Sequence, residues 1–228
     1  MDHLPLFVGI ACLGVTVLFV VAMVSTAKRE RKRRDRLTRW AHQHGWTITP
    51  YPAVDWGRRL PGGNPRGVSL AVSAVVAGRP VSVAEYSYTE TQTTTTSDGQ
   101  GGTSTTQTTQ THSFTVVVVR LTRAYPGLTV EPRPPMSRLG QRLTGGGKAT
   151  GHDGFDRRYR VRGGDPGTIS RLIGPALIDE HLAGTVPSWS VYGPELLSYR
   201  PGVIDMPEHI PALVGPLLRV AQHLESRQ

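Results

Sequence analysis

Residues 80–121 read PVSVAEYSYTETQTTTTSDGQGGTSTTQTTQTHSFTVVVVRL. Pro80 to Tyr88 alternates Val81, Val83 and Glu85 against Ser82 and Ala84, the period of a strand with one buried face. Phe114 to Leu121 is a β-branched apolar run, as expected of a strand inside a sheet. Between them, 12 of the 27 residues 87–113 are threonine. Composition alone leaves almost nothing apolar to bury there and argues for disorder. Position argues for a ladder. Threonine favours extended backbone, Thr–Thr cross-strand pairs stabilise it modestly, and Ser97-Asp98-Gly99-Gln100-Gly101-Gly102 has turn chemistry. The spacing predicts a β-hairpin over 80–121 with its base in the core sheet and a Thr-rich tip that projects into solvent and frays. A floppy loop and a partner-docking edge are the two alternatives.

Upstream, Val68 to Ala77 reads as a strand joined to Pro80–Tyr88 by a turn at Gly78-Arg79. The Pro- and Gly-rich stretch 51–67 reads as loop. Trp46, Ile48 and Tyr51 alternate as a further strand. Before them, Arg36 to Gly45 carries Leu37, Trp40 and Ala41 on one helical face, with Gly45 as terminator.

Downstream, Leu128 to Pro132 reads as a short strand and 136–153 as a Gly-rich connector with helical character at 137–143. Phe155, Tyr159 and Val161 share one strand face, with Asp156, Arg158 and Arg160 facing water. Asp165 is placed to cap a helix with Pro166 at its first position. Gly174-Pro175 kinks or restarts that helix and Gly184 ends it. Ser188 to Ile204 reads as a β-hairpin turning at Gly193-Pro194. Pro207 to Glu225 is an amphipathic helix on Ile210, Leu213, Leu217, Val220 and Leu224.

The amino terminus is different in kind. Pro5 to Val24, PLFVGIACLGVTVLFVVAMV, holds no charge over 20 residues. As a helix it is about 30 Å long, the thickness of bilayer hydrocarbon. No basic segment precedes it and no small-residue cleavage site follows, so the pattern is that of an anchor rather than a cleaved signal. Lys28, Arg29, Arg31, Lys32, Arg33, Arg34, Arg36 and Arg39 follow at once, against Glu30 and Asp35, a net of +6 in 28–39. Basic residues beside a span stay on the cytoplasmic side, which predicts an amino terminus outside and everything after Lys28 in the cytoplasm. The same eight residues are the candidate contacts to anionic lipid headgroups.

The net charge of +9 is therefore mostly local, since residues 40–228 carry only +4. No aromatic residue interleaves the basic run before Trp40, which argues against nucleic acid as a partner. The single cysteine, Cys12, excludes a disulfide framework and a cysteine-rich zinc site.

Chemical motifs are sparse. RLTGGGKA at 142–149 lacks the first glycine and the final hydroxyl of a phosphate loop. His42 and His44 are two apart on a helix end and do not face each other. Asp179 and Glu180 are adjacent on a helix and read as a solvated face. His152, Asp153, Asp156 and Arg158 are the groups an unrecognised active site would draw on, but no nucleophile–base pair is legible. No catalytic, cofactor or metal residue is assigned.

FDRRYRVRGGDPGTISRLIGPALIDEHLA at 155–183, with WAHQHGW, VVVVRL and SWSVYGPELLSY elsewhere, resembles a group of uncharacterised actinobacterial single-pass membrane proteins. Arginine outnumbers lysine 23 to 3, which fits a GC-rich genome of that kind. The resemblance spans most of the chain and implies a membrane anchor with its domain facing inward and no assigned catalysis. The Thr-rich insertion departs from it.

The combined expectation is an α+β protein. Residues 1–27 form the transmembrane anchor (span about 5–24), 28–45 a basic juxtamembrane helix, and 46–228 a cytoplasmic domain. In that domain an antiparallel sheet of short strands is covered mainly on one face by carboxyl-terminal helices, and hairpin 80–121 projects. The function expected is a plasma-membrane-tethered, non-enzymatic interaction or scaffold protein whose partners are the bilayer, its anionic headgroups and an unidentified protein. The alternative is an enzyme with an unrecognised site in the cytoplasmic domain.

Overall fold

The structure of the chain is a computed structural model and describes residues 4–97, 103–133 and 150–226, with side chains from residue 24 onward. Its organising element is β4 (Thr103–Pro132), 30 residues long. β1 (Thr47–Pro50), β2 (Val68–Val76), β3 (Arg79–Ser97) and β4 pair antiparallel in chain order. β5 (Tyr159–Arg162) and β6 (Trp189–Pro201) both return to β4. The described strands thus make one six-stranded antiparallel sheet, and the α+β class is as expected.

Four strand expectations are corrected. The strands are not all short, and Leu128–Pro132 is the end of β4, not a separate strand. Register shifts between Arg120 and Leu128 absorb Pro126, which has no N–H to give to a ladder. The turn after β2 is Ala77-Gly78: Val76 pairs with Arg79, and φ is 50° at Ala77 and 76° at Gly78. Positive φ at both positions marks the two-residue turn whose twist suits a hairpin. Residues 188–204 are no hairpin. Trp189–Val191 and Glu195–Pro201 both find partners along β4, so Gly193 (φ 57°) becomes an irregularity opposite Tyr125. Lastly, Phe155 to Arg158 lie in helix α2 (Asp153–Arg158) because His152 Nδ1 caps it, accepting from the Phe155 N–H at 3.2 Å.

α1 runs unbroken from Leu4 to Gln43, 40 residues, so the basic helix expected at 28–45 is its carboxyl-terminal part. Among the described residues no helix is long and apolar enough to cross a membrane; the side chains of residues 5–23 lie outside those described. Leu37, Trp40 and Ala41 are buried on the expected stripe, and Gly45 (φ 71°) ends the helix. α3 (Pro166–Leu172) is capped by Asp165, which accepts from the Thr168 N–H at 3.0 Å. α4 (Pro175–Leu182) restarts at Gly174-Pro175. α5 (Ile210–Ser226) follows a 3-10 turn, Pro207–His209, and buries Ile210, Val214, Leu217 and Leu224.

The helices and the end of α1 close one face of the sheet over Val72, Val83, Val117, Val119 and Leu196. The other face, which the expectation of helices mainly on one side left without a named cover, carries a second cluster. The stretch read as loop, 51–67, makes 3-10 turns at Trp56–Arg59 and Pro61–Gly63, and seats Trp56 and Leu60 on Ala84, Tyr86, Val116 and Leu197. Gly67 makes this approach possible. Its carbonyl accepts from the Ser87 N–H at 2.8 Å, and a Cβ there would lie 2.4 Å from Ser87 O. The segment 137–143, expected to have helical character, and the phosphate-loop look-alike at 142–149 lie outside the described residues.

Candidate functional site

Two features leave the domain by the same end. The Trp46 N–H bonds Ala41 O at 2.8 Å, and Thr47, Ser73 and Ser82 align across β1, β2 and β3. The carboxyl end of α1 therefore sits at the level of Ser82. Arg33, two turns earlier, sits at the level of Glu85. Going back along α1 is thus going forward along β3. The helix toward Val24 and the hairpin beyond Ser87 run out from one end, and Arg79 with Glu225 marks the opposite end.

The joint between them is ionic. Arg33 Nη1 donates to Glu85 Oε1 and, at 2.9 Å, to Ile204 O. Its Nη2 donates to Glu85 Oε2 at 2.9 Å and to Glu30 Oε1 at 2.8 Å. Glu85, whose side chain is 5% exposed, also accepts from the Ile204 N–H at 3.1 Å. Arg33 and then Arg34 hold the Glu30 carboxyl down to about 2. Arg33, one of the eight basic residues singled out in the sequence, is therefore engaged inside the protein. Lys28, Arg29, Arg31, Lys32, Arg34, Arg36 and Arg39 are exposed, and Arg34 bonds Glu30 at 2.7 Å.

Beyond the joint, β3 and β4 continue as a two-stranded arm. Partners run without a slip from Val81↔Val119 to Ser97↔Thr103. Pairing to β2 ends at Tyr86 and pairing to β6 at Phe114, so both outer edges of the arm are unpaired by any described strand. Residues 89–97 and 103–111 are all exposed. Thr89, Thr91, Thr93 and Thr95 line one face, opposite Thr111, Thr109, Gln107 and Thr105. At the root, Tyr88 stacks on His112 and on Phe114, with centroids 4.9 and 6.0 Å apart. The turn, residues 98–102, lies outside those described.

On the sheet face covered by 51–67, a groove of about 600 Å³ remains open between Arg59, Thr129, Arg162, Ser190, Tyr192 and Tyr199. Its charges are internally matched. Arg59 Nη2 donates to Glu195 at 3.0 Å, and burial pulls that guanidinium below its ordinary range. Arg160 and Arg162 converge on Glu131 Oε1 at 3.0 and 2.9 Å through their Nε atoms. Among the described residues no histidine, cysteine or aspartate lines it. It offers recognition by aromatic and guanidinium groups.

The groups open to an enzymatic reading do not converge. His152 is spent as a helix cap. Asp156, expected to face water, is buried and accepts from Thr150 N–H and Oγ1 and from Gly151 N–H, at 3.0 to 3.2 Å. Arg158 donates to Leu182 O. Asp179 is exposed, but Glu180 holds Arg219 and His223 at 3.1 and 3.0 Å and so joins α4 to α5. Among the described residues, no group of three or more His, Cys, Asp or Glu is placed to hold a metal ion.

Sequence reasoning missed the Arg33–Glu85 joint and the groove, which strands far apart in the chain assemble. The signal for the joint was Glu85 itself, a carboxylate in phase with the buried Val81 and Val83.

Fold and site together define an α+β domain built onto the end of a long helix, with a Thr-rich arm leaving beside that helix. One solved structure, of the mycobacterial trehalose monomycolate transport factor A, TtfA, superposes with a TM-score of 0.47 at 12% identity, covering 84% of this chain and 92% of that one. No family model matches the chain, and no curated protein matches it.

Proposed function

We propose that the protein is a single-pass, plasma-membrane-tethered interaction module without catalysis of its own, its domain held in the cytoplasm. The observation that carries this reading is the continuity of α1. One helix holds the uncharged run Pro5–Val24 at its start and core residues Leu37, Trp40 and Ala41 at its end. Such a helix transmits position and orientation from the bilayer to the domain without a linker. A backbone in lipid must satisfy its own hydrogen bonds, and a helix does. The seven exposed basic residues between Lys28 and Arg39 lie where they hold the domain on the inner side and draw anionic headgroups, at about 1 kcal/mol each. The absence of catalysis is supported by the internal hydrogen bonding of His152, Asp156 and Arg158.

The test is alkaline-carbonate extraction of the full chain, combined with reporters at each terminus. Retention in the membrane, with a carboxyl-terminal reporter active only in the cytoplasm, is the expected result. Release by carbonate, or a carboxyl-terminal reporter active only outside, refutes the tether.

A further inference from the structure

We infer that the Thr-rich arm lies against the phospholipid headgroups of the membrane that anchors the chain, an inference that rests on the tether proposed above. Four observations carry it.

The first is direction. α1 toward its amino terminus and β3 toward Ser97 leave the domain by the same end, with Arg33 level with Glu85. The second is length. From Arg33 back to Val24 is nine residues of helix, about 14 Å. From Glu85 to Ser97 is twelve residues of strand, about 40 Å. The arm is thus longer than that stretch of helix by some 26 Å of contour, ample to reach the bilayer surface from the end they share.

The third is chemistry. The arm carries two unpaired backbone edges and rows of threonine hydroxyls. Unpaired N–H and C=O groups cannot enter hydrocarbon. The arm must therefore turn along the interface, where phosphate and ester oxygens accept from N–H and O–H donors. The fourth is charge. On the described arm, 87–97 and 103–113, Glu90 is the one carboxylate and Tyr88 and His112 are the other ionisable groups, so repulsion by an anionic surface is small beside the attraction of the basic residues of α1. Lys28, Arg29, Arg31 and Lys32 are exposed on α1 between the Arg33–Glu85 joint and the uncharged run, and draw such lipids to the same end of the domain. Edges so long and so free of lysine and proline are usually covered in proteins; here the headgroup layer covers them.

The experiment uses the full chain with Cys12→Ala and one new cysteine at a time: Thr94→Cys on the arm, Ala27→Cys beside the span and Ala124→Cys at the opposite end. Each carries an environment-sensitive fluorophore in phosphatidylcholine/phosphatidylglycerol vesicles that contain a headgroup-nitroxide lipid. Quenching at Thr94 equal to that at Ala27, and at least threefold above Ala124, is the expected result. A Thr94 signal as weak as Ala124, with Ala27 still quenched, overturns the inference and leaves the tether standing. Loss of quenching at Ala27 as well defeats the tether, and the inference with it. Shielding of Thr94 in native membranes but no quenching in pure-lipid vesicles assigns the arm to a resident membrane protein, and overturns the lipid assignment.

Discussion

Arg33 and Glu85, 52 positions apart, meet through both terminal guanidinium nitrogens and both carboxylate oxygens, with side chains only 11% and 5% exposed. The ion pair fixes α1 to β3 in one register along the helix axis. It also closes around Ile204, whose carbonyl accepts from Arg33 and whose N–H donates to Glu85. A helix tied to the sheet in this way cannot slide or rotate without stripping a buried charge of its partner.

That sets the first prediction. Glu85→Leu leaves Arg33 buried with only Glu30 and Ile204 O as partners and an unanswered Ile204 N–H, and costs about 3–5 kcal/mol. Arg33→Met with Glu85→Leu removes both charges and restores apolar packing, so the pair of changes costs much less than Glu85→Leu alone. Chemical denaturation of the four members of this cycle measures it. Additive effects, with no coupling above about 0.5 kcal/mol, contradict the joint.

How much of this was legible in the chain follows from range. Periodicities that span one element were readable: the Leu37–Trp40–Ala41 stripe, the Asp165 cap, the Gly174-Pro175 restart and the α5 stripe all have local causes. The hairpin was readable because its ends were unmistakable strands. What failed depended on distant neighbours. Gly193-Pro194 looks like a turn until β4 is known to be long enough to serve both sides of it. Asp156 looks solvated until Thr150 and Gly151 are folded over it. The stretch 51–67 looks like a loop because Trp56 and Leu60 have no period, although they have a sheet face to cover. The arginine-lined groove has no signature within one element, since it is assembled from β4, β5, β6 and Arg59 of the 51–67 stretch.

The arm contributes nothing to the core, which yields a second prediction. Replacing Thr89–Thr111 by Asn-Gly joins Tyr88 to His112 across a two-residue turn of the kind at Ala77-Gly78. The root stacking of Tyr88, His112 and Phe114 survives. Stability stays within about 1 kcal/mol of the parent, because exposed residues away from caps and strained positions contribute little. A loss of cooperative unfolding in the shortened protein contradicts a peripheral arm.

A third prediction concerns acid. His181 is 1% exposed; its Nε2 accepts from Trp189 Nε1–H at 3.0 Å, and its Nδ1 has no hydrogen-bond partner in the structure. Burial holds its pKa down at about 4, with neighbouring Glu180 opposing weakly. The unfolded chain takes up the proton near 6.5 and the folded one only near 4, so folding stability is full above about pH 7 and falls as pH drops between these values. The loss reaches about 2 kcal/mol by pH 5. His181→Gln, which can still accept from Trp189, flattens that part of the curve. Denaturation midpoints at pH 7, 6 and 5 decide it: equal slopes in parent and variant rule His181 out as the cause.

The basic residues of α1 divide by location, and the last prediction separates them. Arg33 faces the sheet, while Lys28, Arg29, Arg31 and Lys32 face outward. Changing those four to glutamine removes no described packing, so stability moves by less than about 0.5 kcal/mol. It does remove four positive charges next to the uncharged run, worth about 1 kcal/mol each at an anionic surface, and with them much of the bias that orients the span. Arg33→Gln does the reverse: orientation is kept and stability drops, because Glu85 is left buried with its principal cation gone. Protease protection of the carboxyl-terminal domain in membrane vesicles reads orientation, and denaturation reads stability. If the fourfold variant loses stability while keeping its orientation, the two roles are wrongly divided.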